Sequence, residues 1–325
     1  MEYRTLGRTG LRVSALGFGC GNVGGLLVRA PAAERERAVA RALELGITYF
    51  DTAPLYGNGE SERNLGEALK ALRADVHVGT KLRIGAARPE EIPDVVARSL
   101  EQSLRRLGRE QVDLVQLHDH LGSGPRAVPV RTLLEALVPA LDKLVEQGKT
   151  RFYGITALGD TAELLQAIDS GALASAQVCF NLLNPSAAHP VPAGSPAQDF
   201  GGLLLRAQAR GTGAIAIRVL AAGALSGSEA RHPIAAPQVG PIASGPDYAS
   251  DVHRAARFRA LVDAGHAESL VDAAIRFALS CDAVSTVLVG YSSLEQLETA
   301  AASAARGGLS SAGLALLREI WDERA

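Results

Sequence analysis

Long apolar runs are missing from this sequence: no stretch approaches the roughly 20 consecutive apolar residues that a membrane-spanning helix needs. Cysteine is scarce. Cys20, Cys179 and Cys281 stand far apart, with no CxxC and no Cys/His ligand pattern, which argues against a disulfide framework and against a zinc site. Each lies in an apolar stretch and reads as a buried, inert thiol. Lysine is rarer than arginine, confined to Lys70, Lys81, Lys143 and Lys149. No basic cluster or interleaving of aromatic and basic residues is present. With a net charge of −2 and a pI near 6.4, neither a nucleic-acid nor a membrane-surface partner is expected. The opening Met1-Glu2-Tyr3-Arg4-Thr5-Leu6-Gly7 lacks the apolar core of a signal peptide, so the expected location is the cytoplasm.

What is present is a well-mixed chain of 325 residues, 47% hydrophobic and 21% charged, enough to bury a substantial core. No shift in composition marks a linker, so one domain over 1–325 is expected. Residues 3–13 read as a small hairpin around Gly7-Arg8-Thr9-Gly10. A strand at 14–20 and a helix at 32–45 follow, and the pair then repeats: strand 48–53 with helix 60–73, 76–82 with 90–107, 112–118 with 131–147. The series continues with 150–156 and 161–170, 175–181 and 199–210, 213–220 and 268–279, 284–290 and 293–305. A last helix at 311–323 carries the only tryptophan, Trp321.

Eight strand–helix units predict an α/β fold of the closed (β/α)8 type, a TIM barrel with an N-terminal β-hairpin. The alternative, an open doubly wound sheet, would show GxGxxG after its first strand. Here the glycines of Gly17-Phe18-Gly19-Cys20-Gly21 alternate, so the third comes too early. Gly19 and Gly21 mark either a close approach to a cofactor or a tight turn. Two stretches break the rhythm, 184–198 and 221–266, the second with a short helix near 250–262. Both follow strands and are expected as extra loops and helices walling or covering the catalytic face of the barrel.

Barrel enzymes gather catalytic groups from the C-terminal ends of their strands. The second strand supplies Asp51, with Tyr56 on the loop beyond it; the third supplies Lys81; the fourth supplies His118. Each has a bland explanation taken alone: a turn-forming Asp, a Lys reaching for water, a satisfied core His. From three adjacent strand ends they form a proton-transfer set. A buried ammonium needs a carboxylate partner, and Asp51 is the obvious one. The ammonium in turn favours phenolate and is expected to lower the pKa of Tyr56, while the imidazole orients a substrate oxygen. This suits a carbonyl receiving a hydride with Tyr56 as general acid, or the reverse with Tyr56 as base. Side chains cannot supply hydride, so a nicotinamide cofactor is implied.

The sequence resembles the aldo-keto reductase family along nearly its whole length. The resemblance is carried by Arg4-Thr5-Leu6-Gly7-Arg8-Thr9-Gly10-Leu11, Phe50-Asp51-Thr52-Ala53 with Tyr56-Gly57, Gly79-Thr80-Lys81 and Leu117-His118. Gly148-Lys149-Thr150-Arg151, Gly154-Ile155-Thr156, Gln177 to Asn181 and Gly290 to Leu297 extend it. It implies the (β/α)8 fold, NAD or NADP as cofactor, and Asp51, Tyr56, Lys81 and His118 as the catalytic tetrad. It also implies that Gln177 holds the nicotinamide carboxamide, aided by Thr156 where the family usually has Ser-Asn. The aromatic usually under the nicotinamide is replaced by Ile217, with Arg218 beside it. The turn from Leu220 through Gly223 to Ser226 resembles the loop covering the pyrophosphate.

Gly21, Gly290, Ser292, Ser293 and Gln296 complete the cofactor site that the resemblance implies. Arg218 is expected to pair with phosphate, with an anionic substrate, or across the barrel mouth. Around Gly290-Tyr291-Ser292-Ser293-Leu294-Glu295 there is no Lys or Arg for a 2′-phosphate, and Ala300 stands where an adenine-contacting Asn is usual; NAD is therefore expected to serve at least as well as NADP. Loops at 20–30, 119–128, 184–198 and 221–266 would build the substrate pocket, with Asp119, His120 and Tyr291 lining it. The expected activity is oxidation of an aldose or small alcohol, or reduction of a small aldehyde. Alternatives are a cofactor-binding regulatory subunit without turnover, and an unrelated barrel using Lys81 for Schiff-base chemistry. No metal is expected.

Overall fold

Eight short runs of apolar and β-branched residues form the staves of a closed parallel barrel. The computed structural model describes residues 1–191, 195–228 and 230–322. The expected helix end at 323 and parts of the stretches 184–198 and 221–266 fall outside them. A hairpin of β1 (Tyr3–Thr5) and β2 (Arg12–Ser14), paired Tyr3 to Ser14, comes first. The barrel strands are β3 (Leu16–Gly19), β4 (Tyr49–Asp51), β5 (His77–Leu82), β6 (Val112–Leu117), β7 (Thr150–Thr156), β8 (Ser175–Cys179), β9 (Gly213–Ile217) and β10 (Val284–Gly290). They pair in sequence order, and β10 closes on β3.

Around them lie α1 (Leu26–Arg29), α2 (Ala32–Glu44), α3 (Glu60–Ala71), α4 (Ile92–Leu107), α5 (Val130–Thr132), α6 (Val138–Glu146), α7 (Thr161–Asp169) and α8 (Leu203–Ala209). Next come α9 (Tyr248–Ala255), α10 (Ala260–Asp263), α11 (Leu270–Leu279), α12 (Leu294–Ala305) and α13 (Ser311–Asp322). Among the described residues no helix is long and apolar enough to cross a membrane.

Strand periodicity divides the core in two. Outward residues such as Phe18, Phe50, Val78 and Val115 pack under the helices, while inward Tyr49, Leu114 and Ile215 meet Leu6, Leu11 and Val13 of the hairpin inside the barrel floor. The hairpin docks closely enough that a Cβ on Gly7 would strike the backbone of Gly213. Arg8 fastens it by donating to the carbonyls of Gly171 at 2.7 Å and Leu173 at 2.8 Å.

Among the boundaries that differ from expectation, three do so for plain local reasons. The strand expected over 213–220 stops at Ile217 because Arg218 turns into the left-handed region at φ 57. The helix expected over 199–210 starts at Leu203, since Gly201 and Gly202 take φ 58 and 72. The loop expected over 20–30 contains α1, which begins directly after the left-handed Gly25. Cys20 and Cys179 are buried and Cys281 half-buried; burial pushes the Cys179 thiol up to about 12, so it stays protonated.

Candidate active site

The alternation of β4 sets the site. Tyr49 and Asp51 point into the barrel and Phe50 points out, so a phenol and a carboxylate stack on one inner face. Tyr49 donates to Asp51 Oδ1 at 3.1 Å, and Gln177, across the barrel on β8, donates to the same oxygen at 2.5 Å. Space for the Tyr49 hydroxyl comes from Gly79 on β5, where any Cβ would collide with it. Two residues further, Lys81 donates to Asp51 Oδ2 and to the Thr52 carbonyl at 2.9 Å. Lys81 and Asp51 are each only 2% exposed, so the pair is desolvated, and its remaining donors and acceptors are met by neighbours. Tyr56 lies above it, its ring centroid 5.0 Å from the Lys81 ammonium. The His118 ring meets Tyr56 edge-on, 6.2 Å between centroids at 88°. The structure thus brings Asp51, Tyr56, Lys81 and His118 together.

The loop carrying Tyr56 is fixed from both sides. Gly57 donates to Asn22 Oδ1 at 2.9 Å, and Gly57, Asn58 and Gly59 all take positive φ before α3 starts. In the first turn of α3, Ser61 donates to the Cys20 carbonyl at 2.8 Å and shares a hydrogen bond with Thr52. Glu62, fully buried, accepts from Thr80 at 2.6 Å and from Arg106 at 2.5 Å.

Electrostatics sorts these groups into roles. Tyr56 is half-buried as a residue, but its hydroxyl lies deep: burial raises it above the ordinary phenol value, and the Lys81 ammonium only partly offsets this. The expected net lowering by lysine is therefore not what the structure gives; desolvation outweighs it. Lys81 has the opposite balance. Burial works against its charge, yet Asp51 and Tyr56 hold it above the ordinary lysine value. Burial, with Lys81, Arg83 and His120 nearby, takes His118 down to about 3. The site is a neutral phenol, a fixed ammonium and a neutral imidazole.

Beside this constellation a cavity of about 550 Å³ runs between the start of α12 and the segment after β9. Of the cofactor residues expected from the sequence, Arg218, Leu220, Gly223, Ser226, Gly290, Ser292, Ser293 and Gln296 line it. Gly21, Thr156 and Gln177 do not. Gly21 leaves room beside Tyr56, whose ring a Cβ there would approach at 3.6 Å. Thr156 donates to Gln177 Oε1 at 3.3 Å, so the Gln177 amide is shared between Thr156 and Asp51.

The serines shape the cavity wall. Ser292 donates to the Gly24 carbonyl at 2.7 Å, and Ser293 caps α12 by accepting from Gln296 N at 3.3 Å. Sequence reasoning missed Arg231 and Tyr248, also in the wall. Arg231 donates to the carbonyls of Ala236 at 2.7 Å and Ala222 at 2.9 Å and lies over the Tyr248 ring. No periodicity in 221–266 could have placed them. The Arg231 guanidinium and the N-terminus of α12 around one cavity suit a dinucleotide pyrophosphate.

Of the expected substrate residues, Asp119 is buried, with one oxygen accepting from Ile84 N at 2.8 Å, so it braces the loop after β5. His120 is exposed, and its carbonyl accepts from Val128 N at 2.8 Å. Tyr291 is buried edge-on to Phe18. Among the described residues no group of three His, Cys, Asp or Glu side chains is placed to hold a metal.

The chain is 41% identical over 164 residues to L-galactose dehydrogenase of Arabidopsis thaliana, a match spanning 49% of each chain and thus about half the length of that relative. It is 30% identical to L-glyceraldehyde 3-phosphate reductase of Escherichia coli K12 over 92% of this chain and 86% of the other. The fold matches aldo-keto reductase AKR11C1 from Bacillus halodurans in its holo form with a TM-score of 0.75 at 23% identity, covering 100% of this chain and 98% of that one. The sequence model of the Aldo/keto reductase family matches residues 15–322, and with the closed eight-stranded barrel already described the chain belongs to that family of oxidoreductases, which generally use NAD(P)H.

Proposed function

We propose that this protein interconverts a carbonyl compound and its alcohol with NAD or NADP, Tyr56 serving as general acid in reduction and general base in oxidation. The observation that carries this reading is the neutral Tyr56 phenol held beside a buried, carboxylate-paired Lys81 and a neutral His118. A nicotinamide cofactor, when bound, supplies or accepts the hydride. The chain's own residues do the rest. His118 donates a hydrogen bond to the substrate oxygen. Tyr56 delivers its proton to the same oxygen as charge develops there, and Lys81 stabilises the phenolate left behind. Asp51 keeps Lys81 charged and in place, with Tyr49 and Gln177 fixing the carboxylate. A lysine held protonated is a poor nucleophile, which counts against Schiff-base chemistry.

Small aldehydes and aldoses are the substrates favoured, in keeping with relatives named for a galactose dehydrogenase and a glyceraldehyde-phosphate reductase. NAD is used at least as well as NADP: Glu295 is on the cavity wall, and its carboxylate suits a ribose diol and repels a 2′-phosphate. Comparing kcat/KM with the two cofactors checks this, and a hundredfold preference for NADPH would refute it. The decisive experiment is Tyr56→Phe. Turnover is expected to fall by about 10²-fold or more while NADH still binds by calorimetry. Unchanged turnover would remove Tyr56 from the mechanism, and absent turnover in the unaltered protein with intact cofactor binding would favour the regulatory-subunit reading.

A further inference from the structure

Charge at the barrel mouth is out of balance. Lys81 is neutralised by Asp51, and His118 is uncharged. Three basic side chains remain. Arg83 and His120, both exposed, act electrostatically on His118; each follows an inward-facing residue, Lys81 or His118, by two positions. Arg218 interacts electrostatically with Tyr56. The carboxylates within reach are already engaged. Asp51 serves Lys81, Tyr49 and Gln177; Asp119 accepts from Ile84 N; Asp251 is paired with Arg254 and accepts from Ser244.

Arg218 is the unusual member. It is half-buried, and its one side-chain hydrogen bond among the described residues is a long contact of 3.4 Å to the Gly240 carbonyl. Neither it nor Arg83 is ion-paired among the described residues. Its backbone takes a left-handed φ of 57, costly for arginine, and Asn181 holds it there by donating to the Arg218 carbonyl at 2.9 Å. A desolvated guanidinium without an acid is unfavourable unless an anion arrives. The cavity has another cation for a cofactor phosphate, Arg231, fixed by the carbonyls of Ala222 and Ala236. Arg218 lines the cavity and interacts electrostatically with Tyr56.

We propose that the carbonyl substrate is itself an anion, bearing a carboxylate or phosphate that pairs with Arg218, with Arg83 adding positive charge at the rim. This rests on the reading of Tyr56 as proton donor. The anionic group makes and breaks no bond: the carbonyl carbon gains hydride from the nicotinamide, its oxygen gains the Tyr56 proton, and the anion fixes the far end of the molecule.

Two matched pairs test it: glyceraldehyde 3-phosphate against glyceraldehyde for phosphate, and succinic semialdehyde against butyraldehyde for carboxylate. At least one anionic member is expected to exceed its neutral partner in kcat/KM by about 10- to 100-fold, mainly through KM, with the advantage shrinking as salt is raised. The pair that responds identifies the anion. Arg218→Met should collapse that ratio towards one, and Arg218→Lys should retain part of it. Calorimetric titration with glycerol 3-phosphate and with succinate gives a readout independent of turnover: the preferred anion should bind the unaltered protein and lose affinity in the Met variant. Should Arg218→Met fail to fold, the salt dependence and Arg218→Lys carry the test. Neutral members turning over as well as both anions would overturn the proposal. So would Arg218→Met weakening NADH binding with the anion ratio unchanged, which would give Arg218 to the cofactor. If no aldehyde turns over although NADH binds, the proposed function fails; the anion seat then stands or falls on the calorimetric titration alone.

Discussion

At the scale of the residue, the meeting of Asp51, Tyr56, Lys81 and His118 was legible in the sequence because strand ends and strand order suffice to place them. Their partners were not. Tyr49 was read only as a strand former, yet its hydroxyl shares Asp51 Oδ1 with Gln177, from a strand on the far side of the barrel. That meeting depends on barrel closure and on the bare Gly79. The expected lowering of Tyr56 failed for a related reason: sequence shows the ammonium but not how deeply the phenol is buried. The consequence is a pH profile of definite form. Tyr56 stays protonated up to and beyond the usual phenol value of 10.0, and His118 loses its proton near 3. Carbonyl reduction should therefore show no limb between about pH 5 and 9, where a free histidine would titrate. The alcohol oxidation needs the phenolate and should rise with pH across that range. Initial rates in both directions check this; a reductive limb near pH 6.5 would mean that His118 is charged in the working enzyme.

At the scale of the element, periodicity located every barrel strand but misjudged ends governed by single backbone conformations, as at Arg218 and at Gly201-Gly202. The outer faces of the strands hold ties as definite as those within. Asp113 points outward from β6 and joins three strands. It accepts from Val78 N of β5 at 2.9 Å and from Arg151 of β7 at 2.8 Å, and it meets His77 Nδ1 at 3.2 Å. Burial opposes its charge, but these partners outweigh burial and hold the carboxyl below the usual aspartate value. A depressed folded-state pKa means stability that is present above the unfolded value of about 3.9 and is lost as pH falls through the folded one. The free-energy difference between the unaltered protein and Asp113→Asn, measured by urea unfolding, should be about 1–3 kcal/mol and level above pH 5. Below about pH 4 it should shrink. A difference independent of pH would show that shape, not charge, makes Asp113 matter.

At the scale of the whole molecule, the barrel separates stability from chemistry. The hairpin closes the floor with Leu6, Leu11 and Val13 against Tyr49, Leu114 and Ile215, while Asp51, Lys81, His118 and the cavity lie at the opposite, C-terminal end of the strands. The eight-unit count made this division legible in outline; the closeness of the plug was not, because it depends on β-hairpin and barrel meeting backbone to backbone. Gly7 is the point of contact. It holds φ 48, and a Cβ there would enter the space of the Gly213 amide and the Gly211 carbonyl, which are backbone atoms that cannot swing aside. Gly7→Ala should therefore cost both conformational strain and displacement of the hairpin, on the order of 2–4 kcal/mol together. For a chain of this length that is a fall in Tm of several degrees. If the floor only supports the fold, KM for substrate and cofactor and the pH profile of the surviving folded protein should match those of the unaltered chain, since the cluster around Leu6, Leu11 and Val13 contains none of Asp51, Tyr56, Lys81 and His118. The contact with Tyr49 is a direct route by which a shifted plug could reach Asp51. A loss of kcat larger than the loss of folded protein, with KM unchanged, would show that the hairpin also holds the Tyr49–Asp51–Lys81 chain in register.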